Sequence, residues 1–163
     1  MKKIFFIISI LIFSSAIITG LTGCHKDKGC KEWKQTTIEL QELQNITWKC
    51  VGFVNTKSCN IKELKYDKKE EDIYRERCYT LMFTEDKMLG GIGYSNSLCG
   101  NYEIDTITCT INLSVGTLTM LGLVYDEGLF IESLNKVQLF SIRGNELRLY
   151  YNNNKNYLLF KRQ

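Results

Sequence analysis

Alternation of apolar and polar residues is the feature that most constrains the fold of this chain. It is most regular over residues 107–113, where apolar side chains occupy every second position. Period two places successive side chains on opposite faces of a β-strand, and turn residues separate the stretches. Three glycines in 90–93 predict a bulge or sharp bend in a curved sheet. The chain is therefore predicted to be mainly β (α+β) and antiparallel, with strands in 46–54, 78–84, 88–94, 102–104, 107–113, 137–142, 147–151 and 157–160.

One helix is predicted to interrupt the strands. Asp126 is a candidate N-cap, and Glu127 has a favourable charge for the first turn. A stripe of four apolar residues follows with approximately helical spacing, which is typical of a helix packed on a core. These residues are Leu129, Phe130, Leu134 and Val137.

The N-terminus resembles the signal of bacterial lipoproteins. Lys2 and Lys3 precede an apolar run over 4–13, and Leu21-Thr22-Gly23-Cys24 resembles a lipobox. The resemblance implies cleavage after residue 23 and acylation of Cys24 with two or three chains, enough for stable membrane anchoring. A membrane-spanning helix is the alternative, but residues 4–20 are short for a span. His25 after the cysteine fits sorting to the outer membrane, on either its periplasmic or its surface face.

Three segments follow from this boundary: a signal peptide over 1–23, a tether with a possible short helix over 24–44, and one β domain over 45–163. The net charge of +3 falls to +1 when Lys2 and Lys3 are removed with the signal. So small a charge gives no electrostatic footprint for nucleic acid. We expect a monomer that contacts the membrane through its anchor, with no nucleic acid partner.

Seven cysteines are present, and six remain once Cys24 is assigned to lipid. An even number in an exported chain allows up to three disulfides, although spacing alone does not fix the pairs. Cys99 with Cys109, on predicted neighbouring strands, and Cys50 with Cys59, around a predicted turn, are the candidates. Buried thiols are the alternative.

Several motifs resemble those of the META (HslJ-like) domain family and of META-like lipoproteins from Bacteroides-type bacteria. They are Trp48 in an opening strand, the run 95–102 (SNSLCGNY), the run 117–120 (TLTM) before a helix, and the closing run 156–162. The resemblance implies a small, strongly curved antiparallel sheet, barrel-like, with one packed helix. It also implies a role in envelope stress without an established reaction. The cysteine that the family has after the TLTM-like strand is replaced here by Leu121-Gly122.

Catalytic motifs are not found in the sequence. Ser or Cys nucleophiles require a base, and the only histidine, His25, lies on the tether. No phosphate-binding glycine motif and no C-x-x-C metal motif occurs. We therefore expect a protein that is not an enzyme, with no cofactor and no metal. Asp105-Thr106-Ile107 resembles an O-glycosylation acceptor, a pattern that is frequent by chance.

Two functions follow as expectations. The first is a lipid-anchored cell-envelope protein that contributes to envelope stability or stress tolerance through an envelope protein partner. The second is a binder of a small apolar, aromatic or glycan ligand in a barrel-like cavity. Tyr150 and Tyr151 are the candidate rim residues for that ligand, with core or edge packing as their alternative role.

Overall fold

A computed structural model describes residues 39–67 and 72–163, with the side chains of Asp72 and Ile73 left aside. The predicted signal peptide, Cys24 and most of the predicted tether lie outside these residues. The predicted short helix is described only from residue 39, where a single 3-10 turn covers Leu40–Glu42. The described α-helices are α1 (Asp72–Arg77) and α2 (Glu127–Leu134). The strands are β1 (Thr47–Asn55), β2 (Ile61–Glu63), β3 (Thr80–Phe83), β4 (Met88–Ile92), β5 (Ser97–Asp105), β6 (Thr110–Thr117), β7 (Val137–Arg143), β8 (Glu146–Tyr151) and β9 (Asn156–Arg162).

All nine strands form one antiparallel sheet that closes into a ring. The order is β2-β1-β3-β4-β5-β6-β7-β8-β9, and β9 pairs again with β1, from Trp48 opposite Arg162 to Asn55 opposite Asn156. β2 lies beside the second half of β1. The prediction of a mainly β, strongly curved antiparallel sheet with one packed helix is confirmed.

Antiparallel pairing sorts the connections to two ends of the ring. At one end lie the connections 56–60, 93–96 and 152–155, together with 118–136, which contains α2. We call this the helix end. The opposite end carries the connections 84–87, 106–109 and 144–145, and the chain enters β1 there through residues 39–46. Residues in the connections at the helix end therefore lie far from those in the connections at the opposite end.

Large apolar and aromatic side chains pack inside the ring. Trp48 is fully buried, and its indole N–H donates to the carbonyl of Leu43 over 3.0 Å. Phe130 and Leu134 of α2 are fully buried in the same core. The predicted apolar stripe is confirmed for these two residues, whereas Leu129 faces outward and is 40% exposed. Val137 is buried but lies in β7 beyond the end of α2, so its place in the helix is wrong. Other fully buried aromatic side chains are Tyr79, Phe83, Tyr102, Phe140 and Phe160.

The glycines allow strands to approach closely. Of the two alternatives predicted for residues 90–93, the bulge is wrong, and the chain instead turns directly after β4, from Gly93 to Asn96. Register is continuous between β3 and β4 and between β4 and β5. A Cβ on Gly91 would lie 2.2 Å from the carbonyl oxygen of Thr80, and one on Gly100 would lie 1.9 Å from that of Ser114. The register shifts instead occur in β1, between Cys50 and Gly52, and in β7, between Val137 and Leu139.

The most regular alternating stretch is only partly a strand. β6 begins at Thr110, while residues 106–109 form the turn after β5. The carboxylate of Asp105 accepts the backbone N–H groups of Ile107 and Thr108 at 2.8 and 3.2 Å, and such a side chain mimics a turn of the backbone. Local hydrogen bonding therefore ends the strand pairing before Ile107, and the prediction of a strand from residue 107 is wrong.

Candidate functional surface

A buried carboxylate organises the helix end. Glu127, the first residue of α2, is fully buried. Its two oxygens accept the backbone N–H groups of Ser95 (3.1 Å) and Asn96 (2.8 Å), the hydroxyl of Ser95 (2.8 Å) and the side-chain amide of Asn96 (3.0 Å). A buried charge requires this many donors because burial removes its hydration. The start of α2 is thereby fixed to the β4–β5 turn.

Asn96 extends these contacts to the segment before α2. It is almost fully buried, and its side-chain oxygen accepts the hydroxyl of Thr119 at 2.9 Å and the backbone N–H of Leu121 at 3.0 Å. Its amide also donates to the carbonyl of Leu121, and Ser95 donates to that of Gly122. Residues 118–125 contain no helix or strand, yet side chains from the β4–β5 turn hold their backbone.

Six apolar side chains of this segment are exposed to solvent. Met120 is fully exposed, and Leu118 and Leu121 are more than half exposed. Leu129 on the first turn of α2 lies close by in sequence and is also exposed. Contiguous apolar exposure of this kind marks interaction sites in soluble domains. We call these residues the apolar surface: Leu118, Met120, Leu121, Leu123, Val124, Tyr125 and Leu129.

The predicted N-cap takes a different role. Asp126 occupies the N-cap position, but its side chain makes no capping hydrogen bond. Its carboxylate binds the Lys62 ammonium at 2.7 Å and accepts the backbone N–H of Lys65 at 3.0 Å. Asp126 therefore joins the start of α2 to β2 and to the residues that follow it. The prediction of its position is confirmed, whereas the capping contact is wrong.

Tyrosines pack together between β2 and the β4–β5 turn. Tyr79 lies edge-on to Tyr66 and Phe130, with ring centroids 5.6 and 5.4 Å apart. Burial raises the pKa of Tyr66 to about 12 and raises that of Tyr79 further, because the phenolate loses its hydration. The ammonium of Lys49 lies 5.3 Å from the Tyr66 centroid, and burial lowers its pKa. The phenols of Tyr66 and Tyr79 therefore keep their protons to a higher pH than exposed tyrosines do.

Neither predicted cysteine pair forms. Cys50, Cys99 and Cys109 carry thiols. In the register of β5 and β6, Cys99 lies opposite Gly116, whereas Cys109 lies in the turn beyond Thr110. About seven residues of strand, or ~23 Å, separate those positions, and a disulfide allows at most ~7 Å between Cα atoms. Cys50 lies inside the ring, and burial raises its pKa far above the usual value.

Tyr150 and Tyr151 do not share one rim. They are neighbours in β8, so their side chains point to opposite faces of the sheet. Tyr151 is buried, while Tyr150 is half-buried and packs on Tyr157 with ring centroids 5.3 Å apart. A ligand-binding role for Tyr150 stays a prediction.

Within residues 39–67 and 72–163, no group of three His, Cys, Asp or Glu side chains is arranged to hold a metal ion. Over the same residues, no helix is long and apolar enough to cross a membrane.

Sequence reasoning missed the apolar surface. The resemblance predicts a strand over residues 117–120, but β6 ends at Thr117. A signal was nevertheless present, since residues 118–125 (LTMLGLVY) are apolar at six positions without period two. Because its apolar residues do not alternate with polar ones, this run does not have the pattern of a half-buried strand.

Comparison with known proteins places the chain beside proteins of Bacteroides-type bacteria. A protein of Tannerella forsythia named "Putative lipoprotein" is 25% identical over 147 residues, which is 89% of this chain and 88% of that protein. The crystal structure of a DUF4847 family protein from Bacteroides vulgatus has a TM-score of 0.58 and 19% identity, covering 76% of this chain and 96% of that one. No family model matches, and the META resemblance is not confirmed. The chain therefore shares the fold of the Bacteroides vulgatus protein.

Proposed function

We propose that this chain is a lipid-anchored, non-catalytic protein of the cell envelope that acts by binding another envelope protein. The anchor is supported by the lipobox-like run ending at Cys24 and by the name of the Tannerella forsythia relative. We further propose that the protein is anchored at the outer membrane and contributes there to envelope stability or stress tolerance.

The apolar surface is the observation that carries the binding role. An exposed apolar segment disfavours the folded monomer in water unless a partner covers it, because its contact with water is not offset by burial. Here the segment is held in place by Asn96 and by the Glu127 carboxylate instead of collapsing onto the core. A surface fixed before binding loses less conformational entropy when a partner covers it.

The second candidate is a small-ligand binder, and it rests on different residues. The predicted ligand would have to enter the inside of the ring. Aromatic side chains and leucines pack there, among them Phe130, Phe140 and Phe160. Interior packing by such side chains favours the protein-binding role over an internal ligand. The partial exposure of Tyr150 is what supports the alternative.

The test uses cross-linking in intact cells followed by affinity capture of the tagged, full-length protein. Met120→Ser and Leu123→Ser each remove exposed apolar area from the apolar surface. Ile107→Ser is the matched control, because Ile107 is 86% exposed at the opposite end of the ring. We expect the same captured protein with the wild type and the control, and at least a five-fold loss with Met120→Ser and Leu123→Ser combined.

Equal capture by all variants would contradict binding through the apolar surface. Incorporation of a palmitate analogue into the wild type, and none into Cys24→Ala, tests the anchor independently. A thermal-shift screen with glycans and apolar metabolites tests the alternative, since a ligand that binds only the folded state raises the melting temperature.

A further inference from the structure

We infer that the partner protein places an aromatic side chain in a glycine-floored depression on the outer face of β4. The inference rests on the proposed function, because it identifies a further contact of the same partner. Gly90 forms the floor of the depression, and four side chains surround it on the same face: Met82, Met88, Ile92 and Cys99. We call these five residues the Gly90 socket.

Strand register places the four side chains around Gly90. Met82 of β3 and Cys99 of β5 lie directly opposite it, one on either side. Met88 and Ile92 lie two positions away along β4, and alternate residues of a strand share a face. Strands lie ~4.8 Å apart and rise ~3.3 Å per residue, so the Cα atoms of the four residues enclose an area of ~10 Å by ~13 Å. An aromatic ring fits within that area.

Packing within the sheet does not explain the glycine at position 90. A Cβ there would have no atom within 4 Å, whereas one on the neighbouring Gly91 would lie 2.2 Å from the carbonyl oxygen of Thr80. Gly91 therefore allows two strands to approach closely, and Gly90 does not have this role. Glycine inside a strand weakens it, and such a glycine often marks a position that a ligand or another backbone approaches closely. Gly90 therefore indicates a contact with another molecule.

The walls of the socket are apolar and accessible. Met82, Met88 and Ile92 are 41%, 49% and 39% exposed, and the Cys99 thiol is half-buried. Thioether sulfur atoms make favourable contacts with aromatic rings. Aromatic side chains are also enriched at the centres of protein interfaces. Two methionines beside an open glycine floor therefore favour an aromatic side chain as the occupant.

The outer face around the socket is uncharged. Burying a charge against such a face costs free energy, because the charge loses its hydration and gains no partner. The contacting face of the partner should therefore be uncharged around its aromatic residue. From residue 80 to residue 101, the outward positions of β3, β4 and β5 are Thr80, Met82, Met88, Gly90, Ile92, Ser97, Cys99 and Asn101.

The Gly90 socket adjoins the apolar surface. The backbone N–H of Leu118 donates to the carbonyl of Ser97 over 2.8 Å, and Ser97 pairs with Ile92. Ile92, Ser97 and Leu118 therefore lie side by side. A standard protein interface uses ~20–30 residues on each side, more than the apolar surface provides. One partner protein can therefore cover the apolar surface and reach the socket with its aromatic residue.

Methyl NMR of the methionines tests the socket directly. The chain has four methionines: Met1 in the predicted signal, Met82 and Met88 in the socket, and Met120 in the apolar surface. The full-length protein in nanodiscs, carrying carbon-13 methionine methyl groups, is titrated with N-acetyltryptophanamide. We expect saturable upfield shifts of Met82 and Met88, at least three-fold larger than that of Met120, because an aromatic ring shields a methyl group beneath its face. Absence of these shifts, or an equal shift of Met120, would overturn the inference.

Filling the floor of the socket tests its use by the partner. Gly90→Val adds a side chain that suits a strand, and no atom lies within 4 Å of the new Cβ. Asn112→Val is the matched control, because Asn112 is exposed on the outer face of β6. We expect Gly90→Val to abolish the methionine shifts and to lower capture of the partner at least five-fold, and Asn112→Val to change neither. Circular dichroism checks that both variants are folded.

A second variant adds no group to β4. Met82→Ser and Met88→Ser combined remove two exposed walls of the socket, and we expect the same five-fold loss of capture. Normal capture by this variant and by Gly90→Val would overturn the inference. If Met120→Ser and Leu123→Ser still abolish capture in that case, the proposed function stands without the socket.

Discussion

The backbone N–H of Asn96 donates to the Glu127 carboxylate over 2.8 Å, although 31 positions separate the two residues in sequence. This contact joins the β4–β5 turn to the first residue of α2. It also explains Gly93, where a Cβ would lie 2.3 Å from a carboxylate oxygen of Glu127. One buried acid therefore fixes the turn, the helix and the segment that carries the apolar surface.

Glu127→Gln should destabilise the domain by about 2 kcal/mol. In glutamine, an NH2 group replaces one of the two carboxylate oxygens. This group is a donor and cannot accept the hydrogen bonds that the oxygen accepts in the wild type, so buried donors are left without an acceptor. Urea unfolding followed by circular dichroism measures the change. Glu132→Gln, in an exposed pair with Lys136, should change stability by less than ~0.5 kcal/mol. Equal stability of both variants would contradict the role given to Glu127.

Gly100→Ala should cost about 1–3 kcal/mol, since the added methyl group would overlap the Ser114 carbonyl and force β5 and β6 apart. Gly116→Ala is the matched control on the partner strand. Nothing lies within 4 Å of a Cβ at Gly116, so its effect should stay within about 0.5 kcal/mol. Thermal unfolding of the two variants measures the change in stability. An unchanged melting temperature for Gly100→Ala would show that β5 and β6 can separate at little cost.

Stability should fall in alkaline solution because of Tyr66. Its pKa is about 12 in the fold, against about 10 in an unfolded chain, so the fold favours the neutral phenol. The stability this gives is complete below pH ~10 and is lost as pH rises through ~12. Melting temperatures over this range, together with the ultraviolet absorbance of tyrosinate, measure the effect. Tyr66→Phe should have a smaller decline, and an identical decline would assign the effect to other groups.

Thiol labelling of the native protein should separate the cysteines by burial. Cys99 and Cys109 are half-buried and should react with a maleimide first, whereas Cys50 should react only after unfolding. Burial, and then the nearby Asp105 carboxylate, raise the pKa of Cys109, which lowers its thiolate fraction. In a Cys99→Ser background, Asp105→Asn should raise the labelling rate about two-fold at constant pH. An unchanged rate would mean that Asp105 does not act on this thiol.

Much of the fold could be predicted because its strands alternate and its turns use turn residues. The β7–β8 hairpin turns at Gly144-Asn145, with Gly144 at φ +57°, and both closing hairpins lie where the sequence placed them. α2 was also found from its apolar spacing. Local patterns of this kind contain enough information to fix local structure.

The candidate site could not be predicted in the same way, because it depends on contacts between distant residues. Nothing near Glu127 in sequence indicates that Ser95 and Asn96 bind it. Asp126 has the residue type of an N-cap, yet Lys62 binds it instead. The predicted pair of Cys99 with Cys109 is wrong for a related reason. Regular alternation predicts a strand over residues 107–113, whereas residues 106–109 form a turn, so Cys109 lies outside β6.

Pairing of β1 with β9 has a consequence for the order in which the molecule is completed. The strand that begins the ring is bordered by the last strand of the chain, with Cys50 opposite Phe160. One edge of β1 pairs with β2 and β3, which follow early in the chain, but the other edge stays unpaired until residues 156–162 are available. The ring therefore cannot close around its core before the end of the chain has been made.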